Sequence, residues 1–455
     1  MHQKLDMTQG PILRLVVLFA LPIIGSNILQ QLYTTVDTLI IGNFCGTLSI
    51  AAVGTSSQPV EIFLGVFMGI GSGVTILISR YTGSRDVRSV TNVVRASGTL
   101  TWIISIPTAV LGVLLVPSLF RLMQVPDSTF SLAVIYASII FIGLPGNMGY
   151  NMNAGILRGL GDSGATFYFL LVSSVTNVIL DIVFVAGLGL DVGGAAAATT
   201  ISMYAAWAAT ILYIHRKYPD IGFQVLPCRP DKKAVRSILA YGLPLGLNNS
   251  LYSIGHVALQ SAVNLQGADF MAGASIAGKI SSLIGITLNS FSSAMSTFTG
   301  QNAGADNPER IVRGARSIIL VSSAVTISIS AVLYFLSGPL AGLFTDDATV
   351  THWAVLCLHL QLPFHWCYGV LNCIINLANG LGRVKFSTFI SLFMLWAVRI
   401  PVSWMIALFG DGHYVSAGVS ISFVAGMFVA LLFFRSRTWK SIQARAKGSV
   451  LEESR

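Results

Sequence analysis

Acidic residues are rare in the long apolar segments of this chain, and their spacing indicates where a cation or proton could bind. The first apolar run contains two charged residues, Arg14 and Asp37. Four polar residues in it, three or four positions apart, would share one helical face: Asn27, Gln30, Thr34 and Asp37. An ionised Asp near the middle of a membrane span costs roughly 2.5–3.5 kcal/mol. Such a residue is a functional candidate, and the alternative is a structural polar contact between helices.

A second polar cluster occurs in the fifth apolar segment. Asn177 and Asp181 are four residues apart, so they would stack on one helix face. The sixth segment carries Thr199. Carboxylate, amide and hydroxyl oxygens together can coordinate a hard cation such as sodium, and carboxylates can instead share protons. The alternative is that these residues only join helices by hydrogen bonds.

The composition identifies the elements that must position these groups. Hydrophobic residues make up 54% of the 455 residues and charged residues only 10%, whereas soluble domains carry about 25% charged residues. The chain is therefore predicted to be an all-α polytopic membrane protein. Twelve apolar segments are long enough to span a bilayer: 13–42, 51–79, 96–117, 131–157, 166–190, 193–214, 237–264, 270–300, 317–337, 350–379, 386–409 and 413–434.

Basic residues are concentrated on one side of these predicted spans. All but three of the 27 Lys and Arg residues lie at the N-terminus, in the loops after even-numbered spans or in the C-terminal tail; the exceptions are Arg121, Lys279 and Arg399. The positive-inside rule then places both termini in the cytoplasm. The net charge of +9 sets topology, and we expect no nucleic-acid partner.

The two halves of the chain resemble each other at an offset of 221 residues. Gly46 corresponds to Gly267, and Gly159-Leu160-Gly161 corresponds to Gly380-Leu381-Gly382. Six spans per half predict a parallel repeat of the kind found in transporters with two bundles. We therefore expect an N-lobe over residues 1–214, a cytoplasmic linker over 215–236 and a C-lobe with a basic tail over 237–455.

The other polar residues within spans permit two interpretations. Glu61, Lys279 and His256 could line a cavity, but Glu61 and Lys279 could also reach toward the outer surface, and buried histidines are often structural. Arg399 precedes Ile400-Pro401 and could bond the backbone carbonyl that the proline leaves free, so we expect a structural role for it. Aromatic residues, including Tyr33 and Tyr252, would suit a cavity for flat apolar cations.

Motifs of common enzyme classes do not occur in the sequence. It contains no P-loop lysine motif, no HExxH and no GxSxG nucleophile elbow. We therefore expect no enzyme activity, no ATP-driven transport and no cofactor other than a coupling ion.

Several motifs together resemble multidrug and toxic compound extrusion (MATE) transporters over essentially the whole chain. They are Leu21-Pro22, the stretch from Gln31 to Asp37, Ala51-Ala52-Val53-Gly54, Arg158-Gly159-Leu160-Gly161-Asp162 and Gly300-Gln301-Asn302-Ala303-Gly304-Ala305. The resemblance implies two six-helix lobes in a V with a central cavity. It further implies a multi-pass protein of the plasma (bacterial inner) membrane that exports organic cations in exchange for sodium or protons and acts as a monomer.

The resemblance also assigns roles to individual residues. The family's N-lobe site for a proton or sodium ion corresponds to Asp37, Asn177, Asp181 and Thr199, and its helix hinge corresponds to Pro22. Residues expected to line the cavity or contact substrate are Gln30, Tyr33, Thr34, Glu61, Tyr252, His256, Lys279 and Tyr368. Tyr252 and Tyr368 stand near the places of two C-lobe acids found in one branch of the family. A lipid-linked oligosaccharide flippase of the same fold is the alternative function.

Overall fold

Helices account for nearly all of the chain that the structure describes. This computed structural model describes residues 5–453, and their side chains except at positions 58 and 448–453. No strand occurs within these residues. The α-helices are α1 (Ile12–Phe44), α2 (Thr47–Gly83), α3 (Val87–Leu122), α4 (Asp127–Ile142), α5 (Leu144–Leu160), α6 (Ser163–Asp181), α7 (Asp191–Lys217), α8 (Lys232–Asn264), α9 (Ala268–Gly304), α10 (Pro308–Phe335), α11 (Ser337–Gly342), α12 (Ala348–Gln361), α13 (His365–Gly380), α14 (Val384–Leu392), α15 (Ile400–Phe409), α16 (Ala417–Leu431) and α17 (Arg437–Glu453).

The helices confirm the prediction of an all-α, multi-pass membrane protein. Among the described residues, ten helices are long and apolar enough to cross a membrane, and the bent pair α4–α5 would make eleven. These eleven coincide with all of the predicted spans but the seventh. The seventh predicted span corresponds to α8, which is 33 residues long. It is long enough to cross a membrane but is not among the helices that are also apolar enough.

Prolines explain two departures from straight predicted spans. The fourth span, predicted as one segment over 131–157, consists of α4 and α5, which meet at an angle of 44° just before Pro145. The tenth span contains a 3₁₀ turn at Leu362–Phe364 between α12 and α13, with Pro363 inside it. Proline lacks the N–H that a continuing helix needs and crowds the preceding turn, so both breaks follow from the sequence.

Wider helical turns interrupt the fifth span of each half. A π-helical segment over Ile182–Gly187 follows α6 directly after Asp181. Another, over Phe393–Arg399, ends where α15 begins. Segments of this type are rare and often occur at functional sites. The first segment directly follows Asp181, and the second ends at Arg399.

Helix starts recur at the 221-residue offset, which gives the internal repeat a structural basis. The Asp86 side chain caps α3 by accepting a hydrogen bond from the Ser89 N–H (3.0 Å), and Asn307 caps α10 in the same way through Arg310 (3.1 Å). Before α2 and α9, Gly46 and Gly267 have φ values of 87° and 95°. Residues that carry a side chain rarely adopt this backbone conformation, which explains why glycine occupies both positions.

The described residues form two compact units by contact. One comprises Leu21–Ser250 together with Leu5, and its apolar core includes buried residues of α2, α3, α4 and α5. The other comprises Asp6–Ala20 and residues 251–453, with a core formed largely by α9 and α12. One division between the units therefore falls beside Pro22, inside α1. The lobe boundary at 215–236 follows the sequence repeat instead and stays a prediction.

Within the second unit, the segment before α1 is bound to the end of α9. The buried Met7 donates its N–H to Gln301 Oε1 (2.9 Å), and Asn302 Nδ2 donates to the Met7 carbonyl (3.0 Å). Arg310 Nε donates to the same carbonyl (3.0 Å). The Gln301-Asn302 motif thus has a structural role in holding this segment.

Candidate functional site

Helix α6 carries the two most deeply buried polar residues of the predicted ion site. Asn177 is 1% exposed and Asp181 is 0% exposed. Their four-residue spacing places them on one helical face, as the sequence predicts. Asp181 is the last residue of α6 before the π-helical segment over Ile182–Gly187. A deeply buried carboxylate is costly unless a partner neutralises or solvates it.

Helix α7 fixes the orientation of the Asn177 amide. Asn177 Nδ2 donates a hydrogen bond to Thr199 Oγ1 (3.3 Å), and Ser173 of α6 donates to the Ser202 carbonyl of α7 (3.2 Å). Because the nitrogen faces Thr199, the amide oxygen remains as an acceptor. Asn177 Oδ1 is buried and has no hydrogen-bond donor among the described residues.

Helix α1 brings a second carboxylate to this cluster. The side chains of Asp37 and Asp181 are close enough to interact electrostatically with each other. Among the described residues, Asp37 Oδ1 and both carboxylate oxygens of Asp181 are buried without a donor. Two ionised carboxylates in contact repel each other, so the pair needs either a proton between them or a bound cation. The expected meeting of the first, fifth and sixth spans is therefore present in the first unit.

The cluster has the ligand chemistry of a small hard cation. Two carboxylates, an amide oxygen and a hydroxyl oxygen are all oxygen donors, which suit alkali and alkaline-earth ions more than transition metals. Within the described residues there is no group of three or more His, Cys, Asp and Glu side chains that could hold a metal ion. Asp37, Asn177, Asp181 and Thr199 could thus hold sodium, and the same two carboxyl groups could hold a proton.

Tyr136 is a neighbour of the carboxylates that the sequence analysis missed. It lies on α4 and is half-buried, and its phenol interacts electrostatically with Asp37, Asp181 and Tyr33. No spacing rule connects a residue of the fourth span with residues of the first and fifth. Only the packing of α4 against the other helices of this unit shows the proximity.

The remaining α1 candidates lie on the turns before Asp37. Tyr33 is half-buried, and its side chain interacts with those of Thr34 and Gln30. Gln30 and Thr34 are exposed, and the Thr34 hydroxyl donates to the Gln30 carbonyl (2.9 Å). The structure therefore places these three residues together on the turns before Asp37. Their role in substrate contact stays a prediction.

Pro22 lies inside α1, which continues through it without a break. It cannot donate a backbone hydrogen bond to the Leu18 carbonyl, so the helix has one weak turn at this point. The Ser26 hydroxyl donates to the Pro22 carbonyl (2.9 Å). The position is compatible with the predicted hinge, and the hinge itself stays a prediction.

Glu61 lies outside the Asp37–Asp181 cluster, and Lys279 does not line the cavity of the second unit that is described below. Glu61 is exposed on α2 and makes no hydrogen bond or ion pair with the described side chains. Lys279 is exposed on α9, and its Nζ lies 5.9 Å from the centre of the Phe344 ring. Within the first unit, Glu61 does not interact with the Asp37–Asp181 pair.

In the second unit, the other three predicted residues line one cavity of about 380 Å³. Tyr252, His256 and Tyr368 surround it together with Arg399. The Arg399 side chain is buried and donates hydrogen bonds to Tyr252 and Ser422, both at 2.9 Å. Its expected bond to a backbone carbonyl freed by Pro401 does not occur among the described residues. The hydroxyl groups of Tyr252 and Ser422 are its acceptors instead, so the predicted partner is wrong, while the structural role of Arg399 stays a prediction.

Comparisons with known proteins agree with the fold and with the internal repeat. The family model "MatE" matches the chain twice, over residues 22–183 and 244–405, which are the two repeated halves. "Probable multidrug resistance protein YoeA" of Bacillus subtilis is 28% identical over 439 residues, which cover 94% of each chain. Two of the similar solved structures also cover the chain almost completely. An outward-facing multidrug resistance MATE transporter of the MOP superfamily has a TM-score of 0.90 at 23% identity, covering 98% of this chain and 99% of the other. A MATE structure in the bent conformation has a TM-score of 0.90 at 23% identity, covering 98% and 100%.

Proposed function

Because the chain belongs to the MATE family, whose members are membrane transporters and not enzymes, we propose that it is a secondary active multidrug efflux antiporter. It exports organic, mostly cationic amphipathic compounds in exchange for protons or sodium ions. The observation that carries this proposal is the proximity of the Asp37 and Asp181 carboxyl groups. Three of their oxygens are buried without a hydrogen-bond donor among the described residues.

The geometry of this pair explains how an ion can drive the cycle. With a proton or sodium ion present, the two carboxyl groups can stay together, and Asn177 Oδ1 and the Thr199 hydroxyl contribute further oxygens. Without it, their repulsion favours separation of Asp37 from Asp181. Since Asp37 lies on α1 and Asp181 lies on α6, the charge of the site is coupled to the position of α1.

Pro22 is the element that we assign to this movement. The turn around Pro22 has one backbone hydrogen bond fewer than a regular helix, and it adjoins the division between the two contact-defined units. An ion can shift a conformational equilibrium only if it binds the two states with different affinities. Binding between Asp37 and Asp181 supplies that difference, because only one arrangement of α1 brings both carboxylates to the ion. A similar MATE structure is described as bent.

The distribution of basic residues supports the orientation of the protein in the membrane and argues against the alternative function. We place both termini of this multi-pass protein in the cytoplasm, because Lys and Arg are concentrated on one side of the predicted spans. We further propose that it acts as a monomer in the plasma (bacterial inner) membrane. The lipid-linked oligosaccharide flippase is disfavoured. A pyrophosphate calls for several basic groups, and only Lys279 and Arg399 lie well inside the predicted spans.

Efflux from proteoliposomes with separately imposed ion gradients tests this proposal. Purified protein is reconstituted in vesicles loaded with a fluorescent organic cation such as ethidium. An opposing proton gradient and an opposing sodium gradient are then imposed in separate samples. We expect at least one gradient to accelerate dye movement above protein-free vesicles. Equal rates under all gradients and without a gradient would contradict the assignment as an antiporter.

A further inference from the structure

We propose that the cavity of the second unit binds a carboxylate group, of the kind carried by an aromatic organic acid, through the Arg399 guanidinium. This inference goes beyond the proposed cation-coupled efflux. It concerns binding at equilibrium, so it can hold or fail independently of the coupling site. It is carried by the composition of the cavity wall and by the hydrogen bonds of Arg399.

Arg399 is a buried cation whose positive charge is incompletely balanced. It is 3% exposed, and a guanidinium remains protonated in proteins. No described acidic side chain forms an ion pair with it, and the cavity wall contains no Asp or Glu. Its charge is near the rings of Phe423 (5.0 Å) and Tyr252 (5.8 Å). Ring contacts of this type stabilise a buried cation only partly, so an anion would still be stabilised here.

The guanidinium also retains donors for a ligand. Of its five N–H groups, Nε donates to Ser422 and one on Nη1 donates to Tyr252. On Nη2, one contact is to the Met394 sulfur at 4.0 Å, which is a weak acceptor. The described residues therefore leave N–H groups without an oxygen acceptor. A carboxylate is the planar partner that fits such a pair of donors.

Other polar groups of the cavity wall are donors as well. The hydroxyl groups of Tyr252 and Tyr368 interact with each other beside Arg399. The buried Ser281 Oγ has no hydrogen-bond partner among the described residues. A carboxylate in this cavity would thus meet a guanidinium and hydroxyl donors without a competing acid.

The rest of the wall and the size of the cavity select an aromatic acid. Tyr368 stacks on Phe423 with ring centres 4.5 Å apart, and Tyr252 contacts His256 edge-on at 5.0 Å. The volume of about 380 Å³ lies in the range of roughly 300–1,000 Å³ that small-molecule sites occupy. The fifth span of the first half carries the acidic Asp181, whereas the fifth span of the second half carries the basic Arg399. The charge of this cavity is thus opposite to that of the site in the first unit.

Three benzene derivatives of almost the same shape test the charge preference. Benzoate, neutral benzamide and cationic benzamidine are titrated into the purified full-length protein by isothermal titration calorimetry at equal salt. We expect benzoate to bind at least tenfold more tightly than benzamide and benzamidine not to bind at this site. Equal affinity for benzoate and benzamide would overturn the proposal.

Two variants locate the binding site. Arg399→Gln should weaken benzoate binding at least tenfold. Since it removes a buried hydrogen-bonded side chain and could prevent folding, Gly285→Leu provides a second route. Gly285 lines the cavity on α9, and a Cβ atom there meets nothing within 4 Å. The added side chain should fill the cavity and abolish benzoate binding.

Gly338→Leu is the matched control. Gly338 lies on α11 in the same unit and is also open around the position of a Cβ atom, but it does not line this cavity. This variant should bind benzoate like the unmodified protein. Unchanged benzoate affinity in folded Gly285→Leu would overturn the proposed location, and so would unchanged affinity in folded Arg399→Gln.

Discussion

Asp37 of α1 and Asp181 of α6 are neighbours in the first unit and interact electrostatically, although they are 144 positions apart in the sequence. Neither residue could stay ionised beside the other in an apolar bundle without a cation or a proton. The contact joins the first and fifth spans, and the Asn177–Thr199 hydrogen bond joins the fifth and sixth. These two contacts define the candidate site and determine which substitutions should disable it.

Thr199 positions the amide of Asn177, so removal of its hydroxyl should weaken ion coupling. Thr199→Val keeps the side-chain shape but takes away the acceptor for Asn177 Nδ2. The Asn177 amide can then rotate, which moves its oxygen out of the site. A lost hydrogen bond of about 1 kcal/mol corresponds to a roughly fivefold higher ion concentration for half-maximal efflux. Thr199→Ser, which keeps the hydroxyl, should behave like the unmodified protein, and equal behaviour of both variants would contradict this role.

Tyr136 should contribute to the affinity for the coupling ion, because its phenol interacts with both carboxylates. Tyr136→Phe keeps the ring in α4 and removes the O–H dipole. We expect a several-fold higher ion concentration for half-maximal efflux, equivalent to about 1 kcal/mol, with unchanged protein yield. Tyr168→Phe on the exposed side of α6 is the control. If both variants need the same ion concentration, Tyr136 has no part in the site.

Pro22→Ala should slow the transport cycle while leaving substrate binding intact. Alanine restores the N–H that Pro22 lacks, so the turn gains a hydrogen bond to Leu18 and resists bending. We expect a severalfold lower efflux rate in proteoliposomes and an unchanged equilibrium affinity for the dye in detergent. Pro117→Ala, inside α3 of the same unit, is the control and should retain the rate. An unaltered rate in Pro22→Ala would exclude the hinge assignment.

Asp162 should make stability depend on pH in the acidic range. Burial alone would raise its pKa, but hydrogen bonds from Lys217, Tyr218 and Tyr213 (2.8, 2.7 and 2.8 Å) outweigh burial and leave the pKa below its usual value of 3.8. A lowered carboxyl pKa in the folded state stabilises the protein at pH values above 3.8. That stabilisation is lost as the pH falls through the folded-state value.

The Asp162→Asn variant measures this contribution. We expect it to unfold at a lower temperature than the unmodified protein near neutral pH, because hydrogen bonds to a charged group contribute about 1.5–3 kcal/mol each. The difference in Tm should stay constant down to about pH 5 and shrink below pH 3.8. A difference that is independent of pH from 7 to 3 would show that the charge of Asp162 is not what stabilises the fold.

The sequence predicts the scaffold well because membrane spans have strong physical signals. Apolar length locates eleven of the twelve spans, and prolines mark the breaks at residues 145 and 363. The repeated Gly46 and Gly267 mark the same backbone conformation twice. The polar seventh span was also found from the sequence, although its helix is not apolar enough to pass a hydropathy criterion.

The site could be predicted only in part. Helical spacing relates Asn177 to Asp181 because both lie on one helix, but their contact with Asp37 depended on a resemblance to known transporters. Tyr136 and the direction of Arg399 had no signal in the sequence. Their contacts arise from the packing of separate helices, which residue spacing does not encode.

The most direct test of the shared ion site is a double-mutant comparison of Asp37 and Asp181 in proteoliposomes. Asp37→Asn, Asp181→Asn and the double variant are compared with the unmodified protein for efflux driven by the effective ion gradient. Asp127→Asn, an exposed acid in the first turn of α4, is the control. If the carboxyl groups form one site, each single variant should lose gradient-driven efflux as completely as the double variant, while Asp127→Asn retains it. Gradient-driven efflux at the unmodified rate in either folded single variant would contradict the account.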